Sequence, residues 1–153
     1  MAVLLTDAEF AAILADDEKW IRGNIAWGKD EDHSPAWEFR AEVESHKGWP
    51  LVVKGRYNRD AETLNYALIL KTAGRIYSLD MGKKHHNPQC QQVGSKHKHR
   101  WSEQYKDKEA YVPDDVTASL AEPVAVWEQF CAEARIRHEG SMSAPPQDQG
   151  DLW

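Results

Sequence analysis

From Trp37 to Glu44 the chain alternates without a break between apolar and charged residues: Trp-Glu-Phe-Arg-Ala-Glu-Val-Glu. Successive side chains of an extended backbone point to opposite faces. This octet therefore reads as a strand with one face in a core and a charged face in water. The segments that follow read the same way. Gly48-Trp49-Pro50 is a turn, and Leu51–Tyr57 is a second strand carrying Lys54 and Arg56 on one face. Asn58-Arg59-Asp60 turns the chain again. Tyr66–Lys71 is a third strand, which Thr72-Ala73-Gly74 reverses into a fourth, Arg75–Met81. Four consecutive strands with short connections predict an antiparallel meander.

Helices are expected on either side. Thr6-Asp7-Ala8-Glu9 has the form of a capping box, in which the Thr hydroxyl and Glu carboxylate satisfy orphan amides at a helix start. Phe10, Ile13, Leu14, Trp20 and Ile21 follow at helical spacing and predict a helix from about Asp7 to Ile21, ending near Gly23. Pro123 suits a first helical turn. Val124, Trp127, Cys131 and Ala134 then form one stripe of a helix running to about His138, a residue suited to the negative end of the helix dipole. Lys96–Trp101 and Ala110–Val112 can add short strands, Asp114 can cap a helical turn, and Gly82–Gly94 is too polar for a core element.

The expected fold is α+β: an N-terminal helix, an antiparallel meander sheet of four to six strands, a C-terminal helix and a disordered tail. Residues 1–139 form one domain. Residues 140–153, rich in Ser, Pro, Gln and Gly, form a flexible C-terminal tail. The 153-residue length fits a single domain. Cys90 in a polar loop and Cys131 in the helical stripe have neither zinc nor disulfide spacing. There is no apolar run of about 18 residues and no signal-peptide pattern. A cytoplasmic protein without membrane contact is the expectation.

The net charge of −6 conceals a basic island. Residues 83–108 hold seven Lys or Arg against two acids, a net +5 that leaves −11 for the remainder, and four of the seven histidines fall there too. Such an island on an acidic body selects an anionic ligand. The pattern is Lys83-Lys84-His85-His86-Asn87-Pro88, then Gly94-Ser95-Lys96-His97-Lys98-His99-Arg100-Trp101. If 96–101 is extended, His97 and His99 project from one face and Lys98 and Arg100 from the other. His85 or His86 can complete a three-histidine cluster.

His86-Asn87-Pro88, Gly94, His97, His99 and Tyr105-Lys106-Asp107-Lys108-Glu109-Ala110-Tyr111 resemble a family of small uncharacterised bacterial proteins, a domain of unknown function associated with mobile-element and defence neighbourhoods. The resemblance covers about residues 76 to 112. Gln89-Cys90 stands where that pattern has Asp-Gly. It implies no particular reaction.

Three chemistries fit the island. A metal-independent ribonuclease, such as a toxin or effector, needs a base for the 2′-hydroxyl, an acid for the 5′-leaving oxygen and cations for the phosphate. His97, His99, His86 and His85 supply the first two, with Arg100 and Tyr105 as helpers. Lys83, Lys84, Lys96, Lys98, Lys106 and Lys108 would bind the nucleic acid, and no cofactor is called for. A three-histidine metal site is the second reading, weakened by the flanking lysines and the scarcity of carboxylates to orient the imidazoles. The third is a mobile-element-encoded inhibitor or interaction protein. It would meet an antitoxin or defence component through its acidic surface, with Trp49 and Trp153 as exposed anchors. A Lys/His-rich loop can also be a merely solvated connection. His33, His46 and His138, and the acidic run Asp30-Glu31-Asp32, read as surface features. Trp37, Phe39, Trp127, Tyr57, Tyr66 and Tyr77 read as packing residues.

Overall fold

A computed structural model of the protein describes residues 5–29, 36–82, 96–106, 108, 110–111 and 118–146. It also describes the pairing of 85–86 with 92–93, and at 96–97 strand pairing alone. The capping box forms as expected: Thr6 Oγ1 accepts from the Glu9 amide at 3.0 Å, and Glu9 Oε1 accepts from the Thr6 amide at 3.1 Å. It opens a helix, α1 (Asp7–Ala15), that stops well short of Ile21. Asp16 turns the chain by accepting the Glu18 amide at 2.9 Å, and the Lys19 ammonium donates to the carbonyls of Ile13 and Leu14. A helix that ends here leaves its last carbonyls without i+4 partners; Ile13 O has besides Lys19 only the Asp16 amide, at 3.3 Å, among the described residues. Trp20 and Ile21 accordingly lie in a strand, β1 (Lys19–Arg22), and not in the helix.

The strands that follow are β2 (Gly28–Lys29), β3 (Trp37–Ser45), β4 (Leu51–Asn58), β5 (Thr63–Leu70) and β6 (Gly74–Met81). Next come β7 (His85–His86) and β8 (Gln92–Val93), a short antiparallel pair inside what the sequence predicts as loop. The chain continues through β9 (Lys96–Arg100), β10 (Ala110–Tyr111), α2 (Pro123–Ala134) and β11 (Ile136–Glu139). The meander β3 to β6 is present, but the sheet it belongs to has nine strands, more than the four to six expected. Its order is β10-β9-β6-β5-β4-β3-β1-β11, with β2 also on β3. All pairings are antiparallel except β1 with β11.

A helix does not close the fold. α2 ends at Arg135, which adopts a left-handed φ of 56°, and the chain returns as β11 beside β1. His138 is therefore a strand residue rather than a helix terminus. Its Nδ1 takes the Trp127 indole N–H at 3.1 Å, and because indole only donates, Nε2 carries the proton toward the Gly23 carbonyl at 2.9 Å. The next residues are also tied down. Ser143 donates to Ile25 O at 2.9 Å, Met142 is buried, and Arg59 reaches the Pro146 carbonyl at 3.4 Å. The rest of the expected tail, 147–153, lies outside the described residues, as do residues 30–35 and Asp114.

Strand register sorts the sheet into two faces. Phe39, Gly55, Tyr66, Leu79 and Lys98 form one cross-strand row. α2 covers this face. Trp127 meets the rings of Phe39 and Tyr66 at 5.5 and 5.2 Å, Phe130 stacks on Tyr77 at 5.8 Å, and the Tyr66 hydroxyl donates to Pro123 O at 2.7 Å. Phe39, Tyr57, Tyr66, Tyr77 and Trp127 are core as expected, while Trp37 is only partly buried. Trp49 is also partly buried, and Trp153 lies outside the described residues.

Candidate functional site

On the opposite face the corresponding row is Glu38, Arg56, Asn65, Asp80 and the His97 position. Beside it run Arg40, Lys54, Ala67, Ser78, His99 and Ala110. These rows carry guanidiniums, an amide, carboxylates and histidine where a sheet face packed on a core would be apolar throughout, and Ala67, Ser78, His99 and Ala110 among them are buried.

The centre of the arrangement is Asp80. Its Oδ2 lies 3.0 Å from His99 Nε2, and its Oδ1 accepts from the Asn65 amide. An ionised carboxylate only accepts, so His99 donates from Nε2. The His99 side chain is 4% exposed and that of Asp80 16%. Burial lowers the local dielectric and makes a pairing of this kind stronger than it would be in water. Asp80 and Asn65 line a cavity of about 280 Å³ together with Arg56 and Arg75. His99 does not line it and stands behind Asp80. The cavity thus offers a hydrogen-bonded carboxylate flanked by two cationic side chains.

The residues singled out from the sequence are not brought to one place. His97 pairs opposite Asp80 and Lys96 opposite Met81, while His85 and His86 pair with Val93 and Gln92 in the separate two-stranded unit. Lys83 and Lys84 lie outside the described residues. Lys98, expected as a nucleic-acid contact, is fully enclosed (0% exposed), with Nζ 3.8 Å from Glu133 of α2 and 5.2 Å from the Tyr77 ring centroid. Arg100 pairs opposite Tyr77, on the α2 face and away from His99. Tyr105 and Lys106 sit in a reverse turn that closes through mutual backbone bonds of Ser102 and Lys106 at 2.9 and 2.8 Å. There the Tyr105 hydroxyl is bonded to Gln104, and Lys106 Nζ donates to Glu103 O at 2.7 Å. Lys108 is exposed just after it. Among the described residues no group of three or more His, Cys, Asp or Glu is arranged to hold a metal ion. Among them, too, no helix is long and apolar enough to cross a membrane.

Residues 5–136 match a family of unknown function (DUF6978). The chain belongs to this family. The match extends far beyond the 76–112 segment whose motifs resemble uncharacterised proteins, and it takes in α1, the meander and α2. No curated protein and no solved structure matches the chain.

In this member of the family the groups around the cavity are ones that motif reading passes over. Asp80 lies between Leu79 and Met81, and a carboxylate inside an apolar strand is the sequence signal that marks it. Asn65, Arg56 and Arg75 have no such signal. Only strand register and the bulge between Leu68 and Ile69 assemble them.

Proposed function

We propose that this protein acts on RNA through the sheet face opposite α2, as a metal-independent endoribonuclease, and that the cavity at Asp80 is its reaction site. The observation that carries the reading is the carboxylate of Asp80, bonded on both oxygens and facing a cavity flanked by Arg56 and Arg75. Asp80 takes the proton of the 2′-hydroxyl as the 2′-oxygen attacks phosphorus. Arg56 and Arg75 balance the charge that accumulates on the phosphoryl oxygens, as bidentate guanidiniums do well. The bond to the 5′-oxygen then breaks, and that oxygen leaves with a proton from an acid, for which the His97 position opposite Asp80 is the candidate. The products are a 2′,3′-cyclic phosphate and a free 5′-hydroxyl. His99 is a positioning residue in this scheme, since it meets Asp80 and not the cavity. A toxin or effector working in the bacterial cytoplasm, as the sequence motifs suggest, is the setting in which such an activity would be used.

The test is incubation of the full chain with single-stranded RNA in EDTA, with analysis of the ends formed. Cyclic phosphate termini that disappear with Asp80→Asn or Arg56→Gln are the expected result. RNA left intact by the wild-type protein would remove the ribonuclease reading. RNA retained but uncut, with Arg56→Gln weakening retention, would point to an interaction protein using the same face.

A further inference from the structure

The two helices and the end of β9 line an open cleft, on the sheet face opposite Asp80. It measures about 640 Å³, within the few hundred to about a thousand Å³ usual for small-molecule sites. Phe10 and Leu14 of α1 and Trp101 after β9 supply its apolar lining, and Arg100 at the end of β9 and Arg135 after α2 supply cations. The Trp101 indole N–H is already bonded to the Leu5 carbonyl at 2.8 Å, so this residue offers the cavity hydrocarbon and no donor.

The charges in the lining are not equivalent. Asp7 accepts the Glu103 amide at 2.7 Å, and Glu133 faces the enclosed Lys98 ammonium at 3.8 Å. Both carboxylates therefore have partners within the protein. Among the described residues neither Arg100 nor Arg135 is paired with a carboxylate. Arg135 has only a long 3.4 Å contact to the Ala15 carbonyl, and the Arg100 guanidinium stands over the Tyr111 ring at 5.3 Å. Two guanidiniums with no carboxylate partner among the described residues, beside an aromatic and aliphatic lining, make an electrostatic opening for one oxyanion attached to a flat apolar body.

We infer that this cleft between α1 and α2 is a binding site for a small amphipathic anion, with its ring system against Trp101, Phe10 and Leu14 and its phosphate or carboxylate on Arg100 and Arg135. The inference does not rest on the RNA reading, because the cleft shares no residue with the Asp80 cavity.

Calorimetric titration of the full chain with 2-naphthyl phosphate, 2-naphthoate and neutral 2-naphthalenemethanol tests it. One-to-one saturable binding of at least one anion is expected, with the neutral compound at least tenfold weaker. Arg100→Gln and Arg135→Gln should each weaken the anion by at least tenfold, since an ionic hydrogen bond is worth about 1.5–3 kcal/mol. Whether phosphate or carboxylate binds more tightly identifies the head group. Ala11→Trp, at an exposed lining position of α1, should block the cleft without disturbing the fold, which circular dichroism verifies. Absence of saturable binding by both anions would overturn the inference. So would equal affinities for anion and neutral compound, or affinities unchanged in both arginine variants.

Discussion

Lys19 should make the protein more stable as pH rises from neutrality to about 10.5. Its side chain is fully enclosed (0% exposed), and its ammonium caps the carbonyls of Ile13 and Leu14 at the end of α1. Burial is the largest influence on it and brings its pKa from 10.5 down to about 8. Asp16 and Asp17 oppose that change, and Arg135 adds to it. The unfolded chain holds this proton up to about pH 10.5, whereas the folded chain releases it near 8, so between these values the unfolded state binds more protons. Stability must then rise with pH across that window. At about 1.36 kcal/mol per pKa unit the interval amounts to about 3 kcal/mol. Lys19→Met keeps the aliphatic stem and removes the titration. Urea denaturation of both proteins from pH 7 to 10.5 isolates the effect, because every other titrating group cancels in the difference. Wild type minus variant should climb by about 3 kcal/mol, most steeply near pH 9. A difference that stays flat, or falls, would refute the reasoning.

Three further substitutions test the fold. Gly55 pairs opposite Phe39, and a Cβ there would run into the Phe39 ring, which Trp27 and Trp127 hold edge-on at 4.9 and 5.5 Å. Gly55→Ala should cost about 1–3 kcal/mol in urea unfolding, and an unchanged midpoint would mean that the ring has room to move. His138→Leu leaves the Trp127 indole N–H and the Gly23 carbonyl without their partner. A loss of about 1–3 kcal/mol is expected, with an altered Trp127 indole resonance by NMR. Thr6→Ala removes one half of the capping box and should cost about 1 kcal/mol. A neutral result there would show that the docking of Asp7 and Glu103 holds the start of α1 without the cap.

The meander was legible because period-two alternation and short Gly- and Asn-containing turns are local signals, and the capping box is local too. The two strands at the far edge were not. Trp20 and Ile21 continue the spacing of Phe10 and Ile13 as well as a helix would, and what excludes them is Asp16 turning the chain and Lys19 closing the helix from outside it. Ile136–Glu139 likewise follows on from the α2 stripe. The helix ends on Arg135 in a left-handed conformation, where glycine is the usual mark. In the candidate site, the alternation along 96–100 was readable and set Lys98 and Arg100 apart from His99. The partner of His99 was not, since Asp80 reaches it across strands and Arg56 and Asn65 join only through register. The basic island of the sequence therefore does not form one site: the Asp80 cavity is lined by residues from outside it, and Arg100, Trp101 and Ser102 turn to the cleft on the other face.

The rate of RNA cleavage in EDTA by the wild-type chain and by folded Asp80→Asn tests the central claim most directly. The isosteric amide keeps the shape of the Asp80 cavity but cannot serve as a base, so the rate should fall by at least about a hundredfold. Arg135→Gln, on the other face, should cleave as the wild type does. Equal rates for Asp80→Asn and wild type, or no cleavage by either, would contradict the assignment of the reaction to this cavity.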